Sequence, residues 1–455
     1  MTEAFDQDLI CAIATPPGQG GIGVVRLSGP EARRVAEEIC TQELTARRAV
    51  YCDFVDASER LDDGIALWFP APRSFTGEEV VELQGHGGPV VQQRILNALC
   101  RLGARLARPG EFSERAFHNG KLDLAQAEGV ADLIASASVA AARAAINTLR
   151  GDFSNKVNGL IEQLTMLRVQ VEAAIDFPDE EIEILEQAGV VDALNELAHA
   201  LKRIIASANQ GRLLSHGVQV ALIGAPNVGK SSLLNALSGE EAAIVTDIPG
   251  TTRDLLKVDL LINELPIRLI DTAGLRVSED AIEQQGIARA RAQITQADVV
   301  LLVVAAPDLT KENLAQQLAG LRQEMSEHQT SGPEVLVVVN KADLVQTPEL
   351  QEGANNVSVS ARTGEGLDLL KSKLQQLVGF ADEATEFSAR ARHVDALLAA
   401  ASQVDASLAA LQGGLGVEFV AEELSLAQQH LGGITGDVSA DDLLGRIFSE
   451  FCIGK

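Results

Sequence analysis

The sequence predicts a multidomain protein of α/β and α+β class: an N-terminal α+β segment, then a discontinuous helical domain carrying an inserted α/β unit. Three observations predict it. Short apolar runs broken by Gly and Pro fill residues 1–118, and a helical apolar period flanks the middle of the chain on both sides. The middle itself alternates apolar strands with helical patterns.

The N-terminal strands are expected at Ile10–Ala14, Gly23–Leu27, Gly64–Phe69 and Val80–Leu83. Residues 119–215, the first helical part, are rich in Ala and Leu. There Leu160, Leu164, Leu167, Val171 and Ala174 line one helix face. The α/β unit spans 216–380. The second helical part, 381–455, repeats the period with Val394, Leu397, Leu398, Ala401, Val404 and Leu408. Ser439 with Asp442 reads as an N-cap pair opening a last helix, Ala440 to Phe451. An insertion of this kind works where the guest's two ends lie close together.

Composition sets limits. The chain has 455 residues, enough for about three domains. With 64 acidic against 37 basic residues its formal net charge is −27, which disfavours sequence-independent binding to nucleic acid. The longest apolar run, Val299 to Ala306, falls far short of the ~18 residues that cross a bilayer, so no membrane segment is expected. The N-terminus is acidic where a signal peptide is basic. Five scattered cysteines without CxxC spacing argue against a disulfide framework or zinc site and for the cytoplasm.

The chemistry begins at Gly217. An apolar strand runs to Ile223 and into Gly224-Ala225-Pro226-Asn227-Val228-Gly229-Lys230-Ser231, the GxxxxGK[ST] pattern, followed by a helical run from Ser232. Backbone N–H groups of such a loop wrap a β-phosphate at the positive end of the helix dipole. Lys230 is expected to bridge the β- and γ-phosphates, and the Ser231 hydroxyl to ligate Mg²⁺. The partners follow in order. Strand Leu265–Ile270 ends in Asp271-Thr272-Ala273-Gly274, where Asp271 would hold Mg²⁺ through its shell and Gly274 N–H would sense the γ-phosphate. Strand Val335–Val339 ends in Asn340-Lys341-Ala342-Asp343, whose carboxylate accepts both the N1–H and the 2-amino N–H of guanine. Ser360-Ala361-Arg362, after Val357–Val359, suits a loop closing over the base. A site built on such paired bonds rejects the wrong base by roughly 10⁴ or more, so the nucleotide is GTP.

Hydrolysis is less legible. Ras-like enzymes orient water with a Gln after DxxG, but Leu275 stands there. Glu279, Asp280 and Glu283 are nearby candidates on chemistry alone, and for any single one a solvated charge is the better reading. Gly18-x-Gly20-x-x-Gly23 fits a dinucleotide fingerprint, but the residues after it read as a strand, not a helix, so that reading is rejected. The acidic run Asp176 to Glu183 reads as a helix-end or solvated face rather than a metal site.

From end to end the chain resembles the bacterial tRNA-modification GTPases of the MnmE (TrmE) family. The resemblance rests on Ala14-Thr15-Pro16-Pro17-Gly18, Phe75-Thr76-Gly77-Glu78, Glu82-Leu83-Gln84-Gly85-His86-Gly87-Gly88, Arg108-Pro109-Gly110-Glu111-Phe112-Ser113, Asp176-Phe177-Pro178-Asp179-Glu180-Glu181 and the terminal Cys452-Ile453-Gly454-Lys455. It implies an inserted Ras-like domain activated by K⁺ and by dimerisation. Asn227, Thr246, Ile248 and Thr251 match the ion's ligands, Thr252 matches the switch Thr on Mg²⁺, and Glu283 the water-orienting Glu. Val228, Gly229, Ser232, Thr272, Ala273 and Ala361 complete the matched nucleotide site. It further implies that the N-terminal domain dimerises and binds a 5-formyl- or 5,10-methylene-tetrahydrofolate through Arg26, Glu82, Lys121 and Lys455, with Cys452 needed for modification. The implied activity is addition of a (carboxymethyl)aminomethyl group at C5 of the tRNA wobble uridine by a homodimer, together with an FAD-dependent partner of the MnmG family. The competing reading is a regulatory switch in ribosome assembly, which shares the nucleotide motifs but would not require Cys452 or the Arg26, Glu82 and Lys121 set.

Overall fold

The computed structural model describes residues 8–176, 189–240, 257–271, 297–326, 333–345, 355–380, 385–413, 416–437, 441–449, 451 and 454. They fall into two compact units. One comprises Met1–Ala131, Thr148–His199 and Ala399–Lys455, the other Asp132–Asn147 and Ala200–Leu398.

In the first unit a mixed six-stranded sheet is built from β1 (Ile10–Ile13), β2 (Gly20–Ser28), β3 (Val50–Asp56), β4 (Glu59–Phe69), β5 (Val80–Gly87) and β6 (Arg105–Leu106), in the order β3-β4-β5-β2-β1-β6. The strand over Val24–Leu27 confirms that no dinucleotide fingerprint opens there. Helices α1 (Ala32–Cys40) and α2 (Pro89–Arg101) contribute Val35, Ile39, Ile95 and Leu99 to a core shared with Val25, Leu27, Val81 and Leu83. Within it Cys11 and Cys100 face each other as thiols, sulfur to sulfur 3.9 Å. Helix α3 (Glu111–His118) follows. Its Arg115, fully buried, holds Asp8 Oδ1 at 2.7 Å and Glu78 Oε2 and Glu111 Oε1 at 3.1 Å, fixing the loop that precedes β5. Charges this deep persist only when paired.

Helices α4 (Leu124–Ala135), α5 (Val139–Leu149) and α6 (Asp152–Asp176) come next. The α6 face is as its period predicts: Leu160, Leu164, Leu167, Val171 and Ala174 are all buried. Two further long helices frame the α/β segment, α7 (Val190–His216) before it and, after the elements described next, α11 (Ala391–Gly413).

The α/β segment holds β7 (Val218–Ile223), α8 (Lys230–Glu240), β8 (Lys257–Ile262), β9 (Leu265–Asp271), β10 (Val299–Ala305), α9 (Lys311–Ser326), β11 (Glu334–Asn340), β12 (Asn356–Ser358) and α10 (Leu367–Leu377). Its sheet order is β12-β11-β10-β7-β9-β8, parallel throughout except β8 against β9. The eight-residue apolar run becomes β10, buried along its whole length as a central parallel strand must be. The segment's two junctions meet, because Gln210 Nε2 donates to Gly379 O at 2.5 Å. That proximity is what an insertion requires.

In α11 the buried stripe is Val394, Leu397, Ala400, Val404, Ser407 and Ala410, whereas Leu398 is 50% exposed and Ala401 and Leu408 are half-buried. The predicted stripe is therefore off by part of a turn. In an alanine-rich helix small residues can serve the buried face, so Ala400, Ser407 and Ala410 join Leu397 there while Leu398 is left outside. By length and composition α11 is the one described helix able to cross a membrane, but this stripe is built into the protein's own packing. Helices α12 (Val417–Thr435) and α13 (Asp441–Ser449) complete the chain. The last helix forms as expected, while Ser439, its proposed cap, and most of the 176–183 acidic run lie outside the described residues.

Leu164 and Leu398 separate the two kinds of position. Leu164→Ala should lower unfolding free energy by about 2–5 kcal/mol, and Leu398→Ala should change it by less than about 0.5 kcal/mol. Urea denaturation followed by circular dichroism checks both; comparable losses would contradict the burial assignment.

Candidate functional site: a phosphate loop, a base loop and an N-terminal arginine clamp

Strand order reverses at β7, and its carboxyl end is where open α/β sheets bind ligands. The loop Gly224–Gly229 leaves β7 there and feeds the first turn of α8. Asn227 takes a left-handed φ of 65°. Gly229, at φ 97°, could carry no side chain: a Cβ would sit 2.3 Å from Asn340 Nδ2. Asn340, 1% exposed, donates to Val228 O at 3.0 Å and Gly229 O at 3.3 Å, and accepts from Ala361 N at 3.1 Å. One amide thus ties the phosphate loop to the base loop. Lys341, itself left-handed at φ 60°, donates Nζ to Asn227 O at 2.7 Å. Lys230 folds its ammonium over the loop, onto Gly224 O at 2.7 Å and Ala225 O at 3.2 Å. Val228 is buried, and Ser231 and Ser232 are exposed on the first helical turn.

Asp343 lies in the short turn Ala342–Leu344 after β11. Its Oδ1 accepts from Ser360 Oγ at 2.6 Å and its Oδ2 pairs with Arg362 Nη2 at 2.6 Å. The Ser360 hydrogen bond, with the Arg362 charge behind it, holds this carboxyl below the usual carboxylate range. It therefore stays ionised, an acceptor only, as pairing with two guanine N–H donors demands. Ser360 Oγ also accepts from Thr363 N at 3.2 Å, which fixes the loop.

The structure thus joins Asn227, Val228, Gly229, Lys230, Asn340, Lys341, Asp343, Ser360 and Ala361 in one site, with Ser231 and Ser232 on the helix that opens from it. Asp271 ends β9, whose register beside β7 places Asp271 opposite Leu222. Thr246, Ile248, Thr251, Thr252, Thr272, Ala273, Gly274 and Glu283 lie outside the described residues. The Asn340 and Lys341 ties to the loop had no signal in the sequence, because each joins segments more than a hundred residues apart.

A second cluster lies in the N-terminal sheet. Arg26 on β2 and Glu82 on β5 are register partners. Arg26 Nε and Nη2 donate to Glu82 Oε1 at 3.0 and 2.8 Å, and Nη1 donates to Gly454 O at 3.2 Å. The Phe75 and Phe112 rings lie 5.8 and 5.7 Å from the guanidinium carbon. Lys121 Nζ donates to Pro72 O at 3.2 Å, so the loop bearing Phe75 touches both cations. Lys121 also lines an open cavity of about 410 Å³ with Phe117, Gln126 and Thr435. Cys452 and Lys455 lie outside the described residues.

Asp343→Asn should move nucleotide preference from GTP toward xanthosine triphosphate, because the amide keeps one acceptor for N1–H and puts a donor in place of the other, matching xanthine's 2-oxo group instead of guanine's 2-amino group. Equilibrium titration with both nucleotides checks this; unchanged GTP affinity would contradict the base-site assignment.

Two family models match the chain. Residues 9–121 match the family model described as the GTP-binding protein TrmE N-terminus, and residues 124–452 match the MnmE helical domain. Among solved structures, the chain is similar to the G domain of the Thermotoga maritima FeoB iron transporter at 28% identity, covering 35% of this chain and 98% of that one, with a TM-score of 0.26. It is also similar to the FeoB G-domain from Methanococcus jannaschii at 26% identity, covering 36% and 97%, with a TM-score of 0.26. A third is a point variant of Aquifex aeolicus Era bound to GDP·AlF4⁻, at 24% identity over 41% and 66%, with a TM-score of 0.27. With the two family models together spanning nearly all of its length, the chain belongs to the MnmE (TrmE) family of tRNA-modification GTPases.

Proposed function

We propose that this GTPase of tRNA wobble-uridine modification works as a K⁺-activated homodimer in the cytoplasm. An FAD-dependent partner of the MnmG family supplies redox chemistry, and a tetrahydrofolate supplies the one-carbon unit. The observation that supports it best is the coexistence in one chain of a guanine-specific nucleotide site and the Arg26–Glu82 clamp, which a bare regulatory switch does not need. The four-part division at 1–118, 119–215, 216–380 and 381–455 belongs to the same reading.

The donor types fit the ions. Ser231 offers a hard oxygen ligand of the kind Mg²⁺ takes, Asp271 can hold that ion through its bound water, and Asn227 offers a carbonyl oxygen, suited to an alkali cation. Bound there, the two cations would offset charge that develops on the phosphates; an arginine in the second role is worth roughly 10³–10⁵ in rate. The protein's own part is positional. Lys230 trades its two loop carbonyls for phosphate oxygens, and Asn340 keeps the loop in register with the base. Asp343 selects guanine, and Glu283 orients the attacking water. In the second site Glu82 suits the amino and ring N–H groups of a pterin, while Arg26, Lys121 and Lys455 suit an anionic glutamate tail. The net charge of −27 leaves most tRNA contact to the partner.

Steady-state GTP turnover tests the catalytic assignment. Sodium should not replace potassium, and Glu283→Ala should retain GTP affinity while losing hydrolysis. Equal rates in the two salts would remove the ion, and retained turnover would remove the glutamate. For the tRNA step, mass analysis of wobble uridines in cells lacking this protein should show the modification absent. A wild-type copy should restore it and a Cys452→Ser copy should not; restoration by Cys452→Ser would exclude that thiol from the chemistry.

A further inference from the structure

Four exposed cations gather around the loop that joins β4 to β5. Arg47 donates Nη2 to the carbonyl of Arg73, Arg48 follows Arg47 in the chain, and Lys121 donates Nζ to Pro72 O at 3.2 Å. We propose that Arg47, Arg48 and Arg73 form a phosphate-binding patch through which this chain holds its RNA substrate against the N-terminal domain.

The patch differs from its surroundings in having no acid opposite it. Every other arginine between residues 8 and 123 faces a carboxylate within ion-pair distance. Among the described residues, Arg47, Arg48, Arg73 and Lys121 face none. The acceptors that Arg47 and Lys121 reach are neutral carbonyls, which hold the cation and leave its charge uncompensated. The loop's own acids are turned away. Glu78 is taken by Arg115 at 3.1 Å and by Ser28 Oγ at 2.7 Å, and Glu79 accepts from Trp68 Nε1 at 3.1 Å. In a chain with 64 acidic residues against 37 basic ones, pairing is the easy outcome. Cations collected without acids repel one another, so the arrangement calls for an anion from outside.

The backbone beneath the patch is fastened from three sides. Arg47 takes a left-handed φ of 56°, and its N–H donates to Trp68 O at 2.8 Å. Arg73 N donates to Pro70 O at 3.1 Å. Beyond Arg73, Asn119 Nδ2 donates to Thr76 O at 2.7 Å.

RNA is the anion that fits. An arginine fork meets phosphate oxygens in pairs. The net charge of −27 repels RNA, but that repulsion is screened beyond about 8 Å at physiological ionic strength, so a local patch prevails within its own range. The same loop carries Phe75, 36% exposed, with its ring 5.8 Å from the Arg26 guanidinium carbon. An aromatic face beside phosphate contacts is what an unstacked RNA base takes. That such a base then lies next to a one-carbon donor rests on the folate reading above; the phosphate contacts do not.

Fluorescence anisotropy of a fluorescein-labelled anticodon stem-loop RNA, with uridine at the wobble position, reads binding to the full-length protein. The buffer contains NaCl and neither GTP nor folate, so failure of the potassium or folate reading leaves this measurement unchanged. Arg47→Gln, Arg48→Gln and Arg73→Gln combined should weaken binding by about tenfold or more and flatten the dependence of log K on log[NaCl] by about 2, at roughly 0.7 per single-strand phosphate contact. An equal loss of charge among paired arginines, Arg34→Gln, Arg60→Gln and Arg101→Gln combined, should bind within about twofold of the wild type. The melting curve and GTP turnover of the patch variant should be those of the wild type. Equal weakening by the two triple variants overturns the proposal, since bulk charge alone would then account for it. Wild-type affinity and salt slope in the patch variant overturn it too, as does a wild-type protein that binds no stem-loop. Retained RNA binding with loss of the FAD-dependent partner on co-purification would overturn it in favour of an acidic protein face.

Discussion

The nucleotide site depends on one buried amide. Asn340 leaves the end of β11 with almost no exposure, gives its two N–H directions to the phosphate loop and takes one from the base loop. Each of those backbone groups would otherwise be stranded or wet, and a buried polar group without a partner costs about 1–3 kcal/mol. The loop at Gly224–Gly229 and the loop at Ser360–Ala361 are therefore held in register with each other. The glycine at 229 follows from this: the amide occupies the space a side chain would need.

Asp343, the proposed partner of the base, is held in the same way. Ser360 and Arg362 both address the Asp343 carboxylate, and they stabilise its charged form. Arg362 is largely exposed, so screening by water limits what its charge contributes; the Ser360 hydroxyl carries more of the effect. On the proposed assignment, guanine is selected by a fixed, ionised acceptor pair rather than by the size of a pocket.

How much of this was legible depended on range. The loop Gly224–Ser231, the segment Asn340–Asp343 and the strands that carry them were readable, because strand, turn and helix follow one another within a few residues. Strand β10 announced itself as an unbroken apolar run, and α6 as a clean helical period. In α11 the period misled, since alanine is compatible with either face and a buried Ser407 breaks the pattern. Lys341 on Asn227 and Arg26 on Gly454 were invisible, since no local pattern encodes a contact across a hundred or four hundred residues. Arg26 and Glu82 could be named from family resemblance, but their grip on the terminus could not.

The joined junctions at Gln210 and Gly379 have a mechanical corollary. The helices flanking the α/β segment, Val190–His216 and Ala391–Gly413, are each unbroken. At 1.5 Å per residue they are rods of about 40 and 35 Å. Gln210 and Gly379 belong to the same compact unit, so the α/β segment enters and leaves through one narrow doorway, and an insertion on either side of it would have to part the two ends.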